Sequence, residues 1–139
     1  MFGLSEREHA EMSLRETEHR YKALIEAAPD MIFTISPQAS LTSLNPAFER
    51  MTGWCREKWL DKPLHKLVHP ADLSVALDML ARALSAEQPP TFELRVRASS
   101  GKYLNGEFTL TPLMDDGEVI SVLGIGRDVT PRKRTEEEF

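Results

Sequence analysis

The chain has 139 residues, of which 41% are hydrophobic and 28% are charged, and its formal net charge is −5 at pH 7. These values are typical of one globular domain that is long enough to bury a core of its own. The negative charge argues against a nucleic-acid partner, because phosphate binding needs lysine and arginine side chains clustered on one face.

Cysteine content and hydropathy constrain the compartment. The one cysteine, Cys55, excludes an internal disulfide and any metal site built from several cysteines. A single free thiol fits the reducing cytoplasm, which is the location we expect. No stretch approaches the ~20 apolar residues that a membrane span needs, so we expect no membrane contact within this sequence.

A long amphipathic helix is predicted over residues 1–28, with its regular part from residue 5 onwards. Ser5 and Glu8 match a Ser-x-x-Glu capping box. Apolar residues recur at seven-residue steps, with one more between them: Leu14, Tyr21, Leu24 and Ala28. This spacing indicates a short coiled-coil seam, and the alternative is a surface helix that packs on its own domain.

Residues 29–130 are predicted to form one α+β domain. Runs of β-forming residues predict strands over residues 31–36, 41–45, 92–98, 103–114 and 119–128. Short helical segments fill the gap between the second and third strands, and the longest begins at His69 and Pro70. This order predicts a five-stranded antiparallel sheet with helices on one face, preceded by the long N-terminal helix.

A new helix is predicted to begin after the last strand. Thr130 suits the N-cap and Pro131 suits the first helical position, where a missing N–H costs nothing. We expect residues 131–139 to be the start of an output helix that leads into an effector domain of a longer protein.

An ordered set of short motifs resembles the Per-Arnt-Sim (PAS) sensory domains. The set comprises Ala28-Pro29-Asp30, Asn45-Pro46-Ala47-Phe48, Thr52-Gly53-Trp54, His69-Pro70-Ala71-Asp72, the Gly101 hairpin, Thr111-Pro112-Leu113 and Arg127-Asp128-Val129-Thr130. Similar domains occur in bacterial sensor histidine kinases, cyclic-di-GMP enzymes and transcription regulators. The resemblance implies a signal-transduction module with a pocket between sheet and helices, and with an outer sheet face that mediates dimers and signal output.

Strand alternation predicts which residues line that pocket, if the helix-covered face is taken as inward. The strands supply Met31, Phe33, Ile35, Leu41, Phe92, Leu94, Val96, Gly106, Phe108, Leu110, Val122, Gly124 and Gly126, and the helices supply Leu64, Leu77 and Leu80. Glycines inside strands often mark the close approach of a ligand, or else a bulge. Because the set carries no charge, we expect a small apolar ligand. The alternative is a filled core that binds none.

The other sheet face carries an apolar patch of a kind that monomers rarely leave open. Together with the long helix and the strand exit it forms the predicted dimer and signalling surface: Tyr21, Leu24, Ile25, Ile32, Leu123, Ile125, Asp128 and Thr130. A two-fold axis would place two output helices side by side, so a homodimer could pass a signal to attached effectors. The alternative function is a purely structural dimerisation module.

At several positions this chain differs from the PAS domains that bind a cofactor. The reactive cysteine of light-oxygen-voltage members falls near Leu64, and their flavin-binding amides fall at Val96, Gly106 and Gly126. Haem-binding members have a ligating histidine where this chain has Leu77. We therefore expect neither haem nor a flavin held in that manner, and any cofactor is left unidentified. The sequence also lacks catalytic motifs, so we expect no enzymatic activity in the domain itself.

Overall fold

The computed structural model describes residue 3 and residues 5–133. Within these residues the helices are α1 (Glu6–Ala27), α2 (Pro46–Thr52), α3 (Arg56–Trp59) and α4 (Leu73–Leu84), with short 3-10 turns at Leu64–Lys66 and Pro70–Asp72. The strands are β1 (Met31–Ile35), β2 (Leu41–Leu44), β3 (Phe92–Arg97), β4 (Tyr103–Asp115) and β5 (Glu118–Asp128). The predicted fold class is confirmed, and each predicted strand differs from these bounds by one residue at one of its two ends.

The five strands form one antiparallel sheet in the order β2-β1-β5-β4-β3. Hairpins join β3 to β4 and β4 to β5. Strand β1 also pairs with β5, although the two are far apart in sequence. In this pairing Phe33 of β1 lies opposite Gly124 of β5, and Phe108 of β4 lies opposite Gly126. Helices α2 and α4 pack on the face that these phenylalanines share, so the core lies between that face and the helices.

Helix α1 stands clear of the core along its whole length. Ser5 caps its start, since the Ser5 hydroxyl accepts the Glu8 N–H at 3.2 Å, and none of its residues is buried. The domain holds α1 at its last turn, where Glu26 pairs with Arg56 at 3.6 Å. Leu14, Tyr21 and Leu24 form an exposed apolar stripe on one side of α1, and Met12 is exposed on another side. The structure thus shows α1 in contact with the domain at its last turn, and the coiled-coil seam and the surface helix packed on its own domain both stay predictions.

Asn45 connects two parts of the domain through its buried side chain. It occupies the N-cap position of α2, but its side chain makes no capping hydrogen bond. Instead its Oδ1 accepts the Ile32 N–H at 2.8 Å, and its Nδ2 donates to the carbonyls of Ile25 and Asp30 at 3.0 Å each. The residue is only 2% exposed. This one buried amide thus joins the end of α1 to the start of β1.

The exit from β5 also departs from its predicted capping. The Asp128 carboxylate accepts the Thr130 N–H at 2.9 Å, whereas the Thr130 hydroxyl accepts the Asn105 N–H of β4 at 2.9 Å. The Asn105 carbonyl accepts the Val129 N–H at 2.9 Å. We call these three hydrogen bonds the exit clasp. Asp128 therefore caps the new helical turn in place of Thr130, and residues 134–139 of the predicted output helix lie outside the described residues.

Candidate functional site

A cavity of about 70 Å³ lies between the inner face of the sheet and the helices. Its walls are apolar throughout: Met31, Phe33, Ile35, Leu41, Leu44, Phe48, Leu64, Leu67, Val68, Ala76, Leu80, Phe92, Leu94, Val96, Phe108 and Leu110. The volume is well above the ~15 Å³ that one water requires, but the walls offer water no side-chain partner. Apolar cavities of this kind stay dry and bind apolar molecules.

Most of the predicted pocket residues meet at this cavity. Those of the predicted set that line it are Met31, Phe33, Ile35, Leu41, Leu64, Leu80, Phe92, Leu94, Val96, Phe108 and Leu110. Their contact with a ligand stays a prediction. Sequence reasoning missed Leu44 and Phe48, although an apolar residue on each side of the Asn45-Pro46 pair signals a buried helix entry. Leu67 and Val68 were also missed, because their segment has no periodic pattern.

The prediction that Leu77 faces the pocket is wrong. Leu77 is 44% exposed, because the buried stripe of α4 runs through Ala76, Leu80 and Ala83 and leaves Leu77 at its edge. Val122 faces inward and is fully buried, but it lies behind the cavity wall rather than in it.

The inward glycines make room for aromatic rings. A Cβ on Gly124 would overlap the Phe33 ring, and a Cβ on Gly106 or Gly126 would approach the Phe108 ring to 2.5 or 2.6 Å. Gly124 and Gly126 therefore do not line the main cavity directly, because a phenylalanine ring covers each of them. The close approach that the strand glycines predicted is therefore that of the strand backbone to the rings of Phe33 and Phe108.

The aromatic rings form a connected group at the centre of the cavity wall. Phe108 meets Phe33 edge to face, with ring centroids 6.0 Å apart, and stacks beside Phe92 at 6.1 Å. Phe92 and Phe108 also lie directly opposite each other in the β3–β4 pairing. A ligand in the cavity would therefore contact rings from three strands.

The predicted dimer surface is exposed in part. On the outer sheet face Ile32 pairs across strands with Ile125, and Thr34 pairs with Leu123. Ile125 is 40% exposed, while Ile32 and Leu123 are half-buried. On α1, Tyr21 and Leu24 are exposed and Ile25 is half-buried. Asp128 and Thr130 serve the exit clasp and are half-buried.

The end of α1 and the exit from β5 are neighbours. Met31 at the start of β1 pairs with Gly126 near the end of β5. Asp30 lies 3.6 Å from the Arg127 guanidinium, which joins the same two segments by an ion pair. Any shift of α1 relative to the sheet therefore acts within a few residues of the exit clasp.

Two ion-pair clusters fix β3 to its neighbours. The Asp72 carboxylate accepts the Arg95 N–H at 2.8 Å and the Arg95 guanidinium at 2.9 Å, and the guanidinium hydrogen bond lowers the pKa of Asp72 from 3.8 to about 2. The Glu93 carboxylate forms ion pairs with the Lys133 ammonium and the Arg132 guanidinium, each at 2.8 Å. The Lys133 hydrogen bond is the main cause that lowers the pKa of Glu93. The first cluster anchors the start of α4 and the second anchors the outgoing turn.

Metal ligation and membrane insertion find no support in the described part of the chain. Among residue 3 and residues 5–133, no group of three or more histidine, cysteine, aspartate or glutamate side chains could hold a metal ion. No helix of the same residues is both long and apolar enough to cross a bilayer. Cys55 is a free, exposed thiol.

Comparison with known proteins gives a consistent result. The family model of the PAS fold matches residues 19–129. The signal transduction histidine-protein kinase AtoS of Escherichia coli is 32% identical over 133 residues, which are 89% of this chain and 20% of that protein. The two-component sensor PprA of Pseudomonas aeruginosa is 26% identical over 137 residues, which are 98% of this chain and 15% of that protein.

A solved structure agrees with the arrangement of elements. The domain of a sensory box sensor histidine kinase/response regulator from Geobacter sulfurreducens is 31% identical, with a TM-score of 0.69, and the match covers 83% of this chain and 96% of that one. The curated relatives are much longer, since this chain spans 11–20% of their lengths. With the family match extending over most of the chain and the fold agreeing with it, this chain belongs to the PAS family.

Proposed function

We propose that this chain is the sensory module of a larger signalling protein, in which a small apolar ligand in the cavity biases a dimer and, through it, an attached effector such as a histidine kinase. The observation that carries the proposal is the cavity of about 70 Å³ with purely apolar walls. Well-packed cores hold few voids larger than a water, so a void of this size is available to a ligand. A purely structural module with a closed core is the competing function.

The chemistry of the walls defines the ligand class. A carboxylate or phosphate in this cavity would lose its hydration without gaining a partner, so charged metabolites are disfavoured. The charge-free lining suits a neutral hydrocarbon-like molecule of a few non-hydrogen atoms. Xenon is a suitable probe because it occupies dry apolar cavities and forms no hydrogen bonds.

Ligand binding is tested by thermal unfolding under xenon pressure, with citrate as the charged comparison. At ten times its Kd a ligand stabilises the fold by about 1.4 kcal/mol. For a domain of this length that raises the Tm by about 5 °C. Ala76→Leu should fill the cavity and abolish the shift, whereas Ala81→Leu on the exposed side of α4 should keep it. No shift in the wild-type protein would contradict ligand sensing and favour the structural module.

The dimer part of the proposal is supported by two partly exposed apolar surfaces, the stripe on α1 and the patch around Ile125 on the outer sheet face. Ile125→Glu should shift the protein toward monomer in light scattering, because the charge falls in the centre of the patch. Val75→Glu is the matched control, since Val75 is also 40% exposed but lies on α4 at the other side of the sheet. A wild-type protein that stays monomeric at micromolar concentration would contradict the relay.

The same proposal includes a cytoplasmic location. The exposed free thiol of Cys55 suits a reducing compartment. Expression of the full-length protein with a reporter fused next to this domain would test the location, and reporter activity outside the cytoplasm would refute it.

A further inference from the structure

Phe108 lines both the main cavity and a second, smaller one. The second cavity has a volume of about 10 Å³ and lies toward the exit from β5, where Asn105, Gly126 and Asp128 contribute to its walls. The two cavities share Met31, Val96 and Phe108. Of these three residues, Phe108 is the one whose ring also lies against the strand glycines Gly106 and Gly126.

The Phe108 ring rests on bare backbone on the exit side. A Cβ on Gly106 would come within 2.5 Å of the ring, and a Cβ on Gly126 within 2.6 Å. Since neither glycine has a side chain, the ring lies directly on the two strands. A displacement of the ring is therefore felt by the backbone of β4 and β5 without any intervening side chain.

The backbone beneath the ring leads directly into the exit clasp. Gly106 pairs with Asp128, which caps the outgoing turn through its carboxylate. The next residue back along β4 is Asn105, whose N–H and carbonyl both bond to the outgoing segment. Gly106, under the ring, is thus the immediate chain neighbour of Asn105, whose backbone hydrogen bonds hold the exit.

We propose that Phe108 is the positioning residue that couples occupancy of the apolar cavity to the exit clasp. This inference rests on the proposed function, because it takes the cavity as the ligand site. A ligand in the main cavity presses on the ring face, the ring shifts toward the second cavity, and the strand ends under Gly106 and Gly126 move with it. The hydrogen bonds of Asn105 and Asp128 to the outgoing turn then weaken or change geometry.

The test compares Phe108→Leu with Phe92→Leu in the full chain. Phe92 is a matched control because it lines the same cavity, stacks on Phe108 and lies opposite it across the strands, but no strand glycine lies beneath its ring. Amide hydrogen exchange at Asn105 and Val129 reports on the clasp. The amide of Leu41, which donates to the Lys62 carbonyl at 2.9 Å at the far edge of the sheet, reports on general opening.

In the ligand-free protein Phe108→Leu should speed exchange at the clasp by about tenfold relative to Leu41, and Phe92→Leu by less than about threefold. Under xenon, exchange at Val129 should change in the wild type and in Phe92→Leu but not in Phe108→Leu. Equal effects of the two variants, or a xenon response at the clasp that survives in Phe108→Leu, would overturn the proposal.

Failure of the proposed function has a separate signature. If xenon shifts no methyl resonance of Leu80 or Leu110 in the wild type, the cavity does not take an apolar ligand. The ligand-free comparison then still decides whether Phe108 holds the clasp. Should Phe108→Leu fail to fold, Phe108→Met keeps more of the side-chain volume and is subject to the same two comparisons.

Discussion

Replacing Asn45 with alanine should destabilise the domain far more than an average asparagine substitution. The Asn45 side chain makes three hydrogen bonds of 2.8–3.0 Å while only 2% exposed. Each such bond contributes about 1 kcal/mol, so their loss lowers the free energy of unfolding by about 3 kcal/mol. Domains of this size have about 5–15 kcal/mol of stability, so the variant should still fold.

Urea unfolding at pH 7 measures this loss, with Asn105→Ala as the matched control. The hydrogen bonds recorded for Asn105 come from its backbone, which alanine retains, so the control should lose less than about 1 kcal/mol. Equal losses in the two variants, or a loss below about 1 kcal/mol at Asn45, would refute the assignment of Asn45 as the tie between α1 and β1.

Asn45→Asp is a stricter test, because it replaces the donor NH2 group of the side chain and keeps the acceptor oxygen. The carboxylate keeps the acceptor for Ile32 but places a negative oxygen against the carbonyls of Ile25 and Asp30. Burial and this repulsion raise the pKa of the new carboxyl group. Its destabilisation relative to Asn45→Ala should therefore be largest at neutral pH and should shrink as the pH falls through that raised pKa.

Three further predictions concern other parts of the domain. Because the folded pKa of Asp72 is lowered to about 2, its ion pair stabilises above pH 4 and is lost as the pH falls toward 2. After allowance for solvent screening, Asp72→Asn should lose about 1 kcal/mol at neutral pH and progressively less as the pH falls to 2, where the folded carboxyl is about half protonated. Asp78→Asn should lose less than about 0.5 kcal/mol at neutral pH, and urea titrations across this range will check both. Leu80→Ala should lose about 3 kcal/mol in the same assay, and Leu77→Ala less than about 0.5 kcal/mol. Gly124→Ala should lose about 1–3 kcal/mol and abolish the xenon shift, because the added methyl drives the ring above it into the cavity; unchanged stability would contradict that contact.

The inner face of the sheet was predictable because strand alternation is a strict period of two. Once Phe33 is inward, so are Met31 and Ile35, and their places follow without further information. Leu77 was misplaced because a helix face is about 100° wide and its edge is set by the neighbours it packs on, which sequence does not show. The position of Leu67 in the cavity wall could not be predicted either, because the apolar residues of its segment follow neither the helix nor the strand period.

Polar side chains were the other source of error. Asn45 and Thr130 each stand where local rules favour a helix cap, and each instead bonds to a segment distant in sequence. Asn45 reaches Ile25, twenty residues earlier, and Thr130 reaches Asn105, twenty-five residues earlier. Local propensity describes only the nearest available partner, so tertiary partners that satisfy a buried amide or hydroxyl better remain hidden until the fold is known.

Helix α1 is a long arm that is attached to the domain at its last turn. It has 22 residues, is attached at its last turn, and at 1.5 Å per residue is about 33 Å long. A rotation of α1 by about 10° about this attached end would move its free end by about 6 Å, roughly the rise of one helical turn. In the reverse direction, a displacement of a few ångströms at the free end corresponds to a rotation of only a few degrees at the start of β1. Because α1 is long and attached at one end, a small change in its angle to the domain produces a large displacement at its free end.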